Sequence, residues 1–213
     1  MTAVLVCGGS LSAAFLKQMK KSIRDAVWYA VDGGLTVMDT AGEMPDYLVG
    51  DFDTADAALV TKYEKECKIL RHPPEKDATD TELALDAAVE NGAGFIILLG
   101  ATGTRLDHTM ANVHMLYHAM EKKCTAVILD EHNRITLHKS SFCIRKSDLC
   151  GHYLSFLPFF GEVKNLSISG TKYPLSHADL SAGSSLCISN EAKDEKIRVT
   201  FQSGYLLMIE SRD

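Results

Sequence analysis

The sequence predicts an α/β fold: a doubly wound, mostly parallel sheet in an N-terminal domain, followed by a small antiparallel β domain. Three observations carry that expectation. Between Ala3 and Leu129, short apolar runs of strand length alternate with segments of helical period, the pattern of β-strands joined by crossovers of one hand. The runs close on glycine and aspartate, as at Asp32-Gly33-Gly34 and Gly50-Asp51-Phe52-Asp53. After Asp130 no helical period is visible, and short apolar runs punctuated by Gly and Asn take over.

Residues 3–7 are expected as the first strand, ending in Gly8-Gly9-Ser10. Leu11, Phe15 and Met19 recur every four residues and predict a helix to about Lys20. Residues 26–31 form the second strand, 35–40 a helix and 47–49 the third strand. Thr54 is placed to cap a helix over 55–66, and Ile69-Leu70 is a weaker fourth strand. The prolines make 72–78 a loop. Thr79 and Glu82 have the spacing of a capping box and open a helix that stops at Asn91-Gly92. A fully apolar strand over 95–99, a turn over 100–104, the longest helix over 105–122 and a strand over 125–129 complete the series. Strands over 135–138, 142–145, 153–157, 166–168, 186–189, 197–201 and 205–209 follow, with the domain boundary set at 138/139, giving domains 1–138 and 139–213.

The chain of 213 residues is 46% hydrophobic and 23% charged, enough for a core of ordinary size. Its net charge of −6 argues against a nucleic-acid backbone as the main partner, though not against a nucleotide held through a metal. The N-terminus lacks the basic start and long apolar middle of a signal peptide, and no apolar run is long enough to span a bilayer. The six cysteines are scattered without a Cys-x-x-Cys pair, so reduced thiols of a cytoplasmic protein are expected rather than a zinc site or disulfides. No P-loop, no Gly-x-Gly-x-x-Gly after the first strand and no Gly-x-Ser-x-Gly elbow is present.

Chemistry is expected where the acids gather. Asp51 and Asp53, two apart after a strand, point to the same side. Two carboxylates so close repel unless a cation lies between them, and hard oxygen donors that also bridge to phosphates suit Mg2+. Ligands of open parallel sheets bind outside the carboxyl ends of the strands. Asp32, the pair Asp51 and Asp53, the pair Asp77 and Asp80, and Asp107 all fall at such ends. Asp80 and Asp107 also suit a first helical turn, where the dipole stabilises an acid by ~0.3–1 kcal/mol, but that account does not cover Asp51, Asp53 and Asp77. Gly33, Gly34 and Gly103 let backbone amides approach a phosphate closely. Lys76 and Arg105 add positive charge at the same edge, which points to a ligand with several negative oxygens, such as a polyphosphate; the alternative is that they pair with neighbouring acids, as surface charges commonly do. His114 and His118 have the spacing of a zinc helix, but His118 lies ~16 Å along the axis from Asp107 at the helical rise and no Glu follows His114; a surface or packing role is expected for them.

The motifs taken in order resemble the thiamine pyrophosphokinase (thiamine diphosphokinase) family. The resemblance is carried by 32–34, Gly50-Asp51-Phe52-Asp53-Thr54, the run 76–85, the run 100–108 with Ala111-Asn112, Gly170-Thr171-Lys172-Tyr173-Pro174-Leu175 and Ile188-Ser189-Asn190-Glu191. Thr171 stands where a leucine is common, and the 101–104 turn has fewer glycines than usual. The resemblance implies that the C-terminal domain is a β-sandwich, and that the protein is a homodimer with active sites at the subunit interface. It implies transfer of a pyrophosphoryl group from ATP to the hydroxyethyl oxygen of thiamine, with Mg2+. Asp51, Asp53, Asp77, Asp80, Arg105 and Asp107 would be catalytic, with Asp51, Asp53, Asp80 and Asp107 on the metal. Asp32, Gly33, Lys76, Thr79, Gly103, Arg105 and His108 would hold ATP. Tyr173, Ser189 and Asn190, with Asp80, would hold thiamine, a cation with an aromatic ring that suits a tyrosine. A pyrophosphokinase acting on another hydroxymethyl heterocycle such as a pterin, and a non-catalytic sensor on the same scaffold, are the competing expectations.

Overall fold

The computed structural model describes residues 1–50, 57–71 and 77–213, apart from the side chain of Ala57. The chain divides into two compact units, Met1–Glu131 and His132–Asp213. The first contains β1 (Thr2–Val6), α1 (Ala13–Ser22), β2 (Ala26–Val31), α2 (Gly34–Ala41), β3 (Tyr47–Gly50), α3 (Ala57–Tyr63), β4 (Lys68–Arg71), α4 (Asp80–Glu90), β5 (Phe95–Leu99), α5 (Leu106–Glu121) and β6 (Thr125–Leu129). Its strands are parallel in the order β4-β3-β2-β1-β5-β6. The chain winds outward from β1 through β4, then restarts on the other side of β1 with β5. The switch point therefore lies between the carboxyl ends of β1 and β5, where such sheets bind ligands.

The near-continuous apolar strands are buried on both faces, as parallel strands between helices must be. Alternate side chains divide the work. Val4, Val6, Trp28 and Leu48 pack with Leu16 of α1 and with Leu35 and Met38 of α2. The opposite alternation meets α4 at both of its ends: Cys7 Sγ lies 3.7 Å from Thr81 Oγ1, and Asn91 Nδ2 donates to Tyr29 Oη at 3.0 Å.

The second unit contains β7 (Asn133–His138), β8 (Phe142–Arg145), β9 (Tyr153–Ser169), β10 (Leu175–Leu180), β11 (Asn190–Glu191), β12 (Lys196–Thr200) and β13 (Ser203–Ser211), all antiparallel. The first half of β9 pairs with β13, which also pairs with β7. Its second half pairs with β10 and β12, and β12 pairs with β8. The strand turns between these sets at Phe160 and Gly161, both at positive φ of 56° and 112°. One strand thus serves two layers, a corner of the kind that closes orthogonal sandwiches. Leu154, Phe156, Leu206 and Met208 from one layer meet Val163, Leu166, Ile168, Ile197 and Val199 from the other in a single core.

Several expectations shift. Residues 153–157 and 166–168 belong to one bent strand rather than two. The expected strand over 186–189 is instead a turn: Ser184 N–H donates to Ser181 O, Leu186 N–H to Ser184 Oγ and Ile188 N–H to Ser185 O. Serine side chains offer the backbone an alternative to a ladder, and that alternative prevails here. β10 is not among the expected strands, because its register slips twice against β9 and Leu175, Ala178 and Leu180 do not alternate. Asn133–His138 groups with the second unit, where it hydrogen-bonds along β13. The expected cap Thr54 and the loop 72–76 fall outside the described residues.

The second unit contains one buried ion pair. Glu210 is 0% exposed and lies opposite Arg134 in the β13–β7 ladder. It accepts from Arg134 Nε and Nη2, each at 2.6 Å, and from Cys150 N–H at 2.9 Å. Arg134 Nη2 also donates to Asp148 O at 2.7 Å. Removing one partner of such a pair strands the other, so Glu210→Ala should cost about 3–5 kcal/mol of stability. Urea unfolding checks this; a loss below about 1 kcal/mol would show that the pair behaves as an exposed one.

Candidate active site

Glycine builds the rim at the carboxyl ends of the strands by letting main chains touch. Gly9 N–H donates to Gly100 O at 2.8 Å and Ser10 N–H to Thr102 O at 2.6 Å, which ties the loops after β1 and β5 across the switch point. A Cβ on Gly9 would stand 2.2 Å from Thr102 O, and one on Gly34 1.8 Å from Val6 O. Only glycine fits such approaches. Gly8 and Gly33 face each other, a Cβ on Gly8 meeting Gly33 Cα at 3.1 Å. The loops after β1, β2 and β5 thus form one continuous edge.

Asp32 sits on that edge at a φ of 44°, a conformation that aspartate tolerates better than most residues and that gathers at functional sites. Its N–H donates to Val49 O at 2.9 Å and its carbonyl accepts from Leu35 N–H at 3.1 Å. Gly50, the residue before Asp51, lies against it: a Cβ there would be 3.6 Å from Asp32 Cβ. Asp51, Asp53 and Lys76 lie outside the described residues.

The two helices that open at the rim bring the other acids. Thr79 caps α4, its Oγ1 accepting from Glu82 N–H at 3.2 Å, and Asp80 occupies the first turn. Thr81, next in sequence, contacts Cys7 at the end of β1, so the start of α4 packs beside the switch point. Asp77 and Thr79 are exposed. The turn before α5 is held by side chains on three sides. Asn112 Nδ2 donates to Ala101 O at 2.7 Å, Thr102 Oγ1 to Asp130 Oδ2 at 2.7 Å, and Gly103 N–H to Thr109 Oγ1 at 3.2 Å. Sequence reasoning gave Gly8, Gly9, Asn112 and Asp130 no role at the site. The tandem glycines after the first strand, matching those after Asp32, were the available signal; the role of Asp130 depends on a tertiary contact with no local trace.

Arg105 and Asp107 meet each other. Arg105 Nε and Nη2 donate to the two carboxylate oxygens of Asp107 at 3.2 and 2.6 Å, with the side chains 68% and 65% exposed. The Arg105 hydrogen bonds hold the Asp107 carboxyl down at about 2. His108 is exposed beside them. His118 Nε2, further along α5, donates to Asp86 Oδ1 at 2.7 Å, and Lys122 Nζ joins the same oxygen at 3.0 Å. That packing of α5 on α4 is the structural role expected for His118. Asp80, Asp107 and Asp32 are hard oxygen donors suited to Mg2+; among the described residues no group of three His, Cys, Asp or Glu side chains is assembled for a metal.

In the second unit, Tyr173 is 60% exposed while Asn190 is 4% exposed. Ser189 is exposed at a φ of 55°, and its N–H donates to Ser155 Oγ at 3.0 Å. Tyr173 N–H donates to Asn190 Oδ1 at 3.1 Å, and Asn190 Nδ2 donates to Tyr173 O at 2.7 Å. Asn190 and Tyr173 are thus joined through both main-chain groups of the tyrosine, and Ser189 precedes Asn190 in the chain.

Residues 19–128 match the model of the thiamin pyrophosphokinase catalytic domain, and residues 139–206 match the model of its vitamin B1 binding domain. The chain belongs to the thiamine pyrophosphokinase family. The thiamine pyrophosphokinase of Bacillus subtilis (strain 168) is 35% identical over 188 residues, covering 88% of each chain. A crystal structure of thiamine pyrophosphokinase from Bacillus subtilis superposes with a TM-score of 0.88 at 31% identity and covers both chains in full. That of Geobacillus thermodenitrificans thiamin pyrophosphokinase gives 0.86 at 34% identity, covering 100% of this chain and 98% of the other.

The Arg105–Asp107 pair sets a measurable expectation. A carboxyl depressed on folding adds stability above its unfolded value and loses it as pH falls toward the folded one, here between roughly pH 4 and 2. Carbon-detected NMR titration should find Asp107 ionising at about 2. In Arg105→Gln it should return toward the ordinary value of about 3.9; an unchanged midpoint would remove Arg105 as the cause.

Proposed function

We propose that this thiamine pyrophosphokinase family member transfers the β,γ-pyrophosphoryl group of ATP to the hydroxyethyl oxygen of thiamine, releasing AMP and thiamine diphosphate. A bond forms from the alcohol oxygen to the β-phosphorus, the bond from that phosphorus to the oxygen bridging it to the α-phosphorus breaks, that oxygen leaves on AMP, and the alcohol proton leaves to a base or solvent. The observation that carries this reading is that both units match, in order, the catalytic and vitamin B1 binding domains of one family. The match of the second unit to a vitamin B1 module leaves no support for a pterin substrate.

In this reading Asp32, Gly33, Lys76, Thr79, Gly103, Arg105 and His108 bind ATP along the glycine-built rim. Asp51, Asp53, Asp80 and Asp107 would hold Mg2+, which would offset the negative charge of the phosphate oxygens. Arg105 would exchange its partner, its fork turning from Asp107 to phosphate oxygens and leaving Asp107 available to a cation; both side chains are exposed enough to allow it. Asp77 or Asp80 accepts the alcohol proton. Tyr173, Ser189 and Asn190, with Asp80, serve thiamine binding, the tyrosine ring facing the cationic ligand. Binding holds the alcohol in line with the β-phosphorus, and electrostatic stabilisation supplies the rest. The active form is a homodimer with sites at the interface. A cytoplasmic location is supported by six cysteines, all unpaired. No helix among the described residues is long and apolar enough to cross a membrane.

Incubation with ATP, Mg2+ and thiamine should yield AMP and thiamine diphosphate in equal amounts; ADP as the nucleotide product would contradict the proposal. Asp51→Asn and Asp53→Asn should each lower turnover by roughly 10²-fold or more without changing the melting temperature, and full activity in both variants would remove the pair from the mechanism.

A further inference from the structure

We infer that Asn190 is a positioning residue, whose buried amide fixes the main chain of Tyr173 and so sets where the Tyr173 ring stands. The inference rests on the proposed contact between Tyr173 and thiamine. Both main-chain groups of Tyr173 go to one side chain: its N–H to Asn190 Oδ1 at 3.1 Å and its carbonyl to Asn190 Nδ2 at 2.7 Å. The amide thus does for one residue what a neighbouring antiparallel strand does in a ladder. Asn190 Oδ1 also accepts from Glu191 N–H at 2.9 Å, so both lone pairs of that oxygen are engaged and none is left for a ligand.

The surrounding bonds serve the same loop. Thr171 bridges to Ala192, and Lys172 N–H donates to Glu191 O at 2.9 Å. Gly170 O accepts from Lys193 N–H and Asp194 N–H at 2.9 and 3.0 Å. Thr171 Oγ1 reaches Tyr173 O at 3.3 Å, and Pro174 restricts the backbone of the residue before it. Lys172 Nζ pairs with Glu191 Oε1 at 2.6 Å and stands 5.4 Å from the Tyr173 ring centroid. The contrast decides the assignment: Asn190 is 4% exposed and spends its hydrogen bonds on the loop, whereas the ring it supports is 60% exposed. An aromatic whose backbone is fixed before binding loses little freedom on binding, so its support acts on affinity.

The test is a double-mutant cycle on the full chain with steady-state kinetics for both substrates and a thermal melt of each variant. Tyr173→Ala should raise the KM for thiamine about tenfold. Asn190→Ala should raise it by a similar factor, and the double variant should exceed Tyr173→Ala by less than about twofold. The KM for ATP should stay within about twofold throughout, which a general loss of structure would not allow. Asn190→Asp keeps an acceptor for Tyr173 N–H and loses the donor to its carbonyl; it should fall between wild type and Asn190→Ala, and it carries the cycle if the alanine variant does not fold. Multiplying effects in the double variant, or a normal thiamine KM in Asn190→Ala alongside a raised one in Tyr173→Ala, would overturn the positioning role. A normal thiamine KM in Tyr173→Ala would instead overturn the proposed pocket.

Discussion

The architecture of the site depends on main chain touching main chain at the switch point of the parallel sheet. A Cβ on Gly34 would come within 1.8 Å of Val6 O, and one on Gly100, itself at a φ of 63°, within 2.5 Å of Cys7 O. Side chains are excluded from these contacts, so backbone dipoles crowd a small region instead. Such a surface suits phosphate oxygens, and the acids that open α4 and α5 border it. In the proposed function a polyphosphate and a cation lie together at this edge without a P-loop.

Much of the first unit was legible in the sequence, because its parallel strands are continuous apolar runs and its helices carry strong boundary signals. Thr79 and Glu82 marked the start of α4 to the residue, and Asn91-Gly92 its end. The acids at the strand ends were visible because glycine accompanied them. What stayed hidden was tertiary: the link from Thr102 to Asp130 spans 28 residues, and the meeting of Cys7 with Thr81 spans 74. The pairing of Arg105 with Asp107 is local, and pairing with a neighbouring acid was the alternative expectation for this cation.

The second unit was harder to read for a physical reason. Its strands slip register and bend, so the period of two that identifies a strand fails just where the sandwich turns. Leu186 and Ile188 looked like strand residues, yet they are exposed and only Cys187 between them enters the core. The sandwich is tied by a buried Arg134–Glu210 pair and by side-chain amides such as that of Asn190, whose value lies in satisfying main-chain groups that a ladder leaves open. Tyr173 illustrates the consequence. An exposed aromatic in a sheet protein usually marks packing at an edge, but this one is held by bonds that fix its backbone and leave its ring outward.

The most direct test is to follow backbone amide resonances while Mg2+ and a non-hydrolysable ATP analogue are added. The account predicts that the largest shifts fall on 8–10, 32–34 and 100–108, with the first turn of α4 joining them. Shifts concentrated elsewhere, with these three loops silent at saturation, would contradict it.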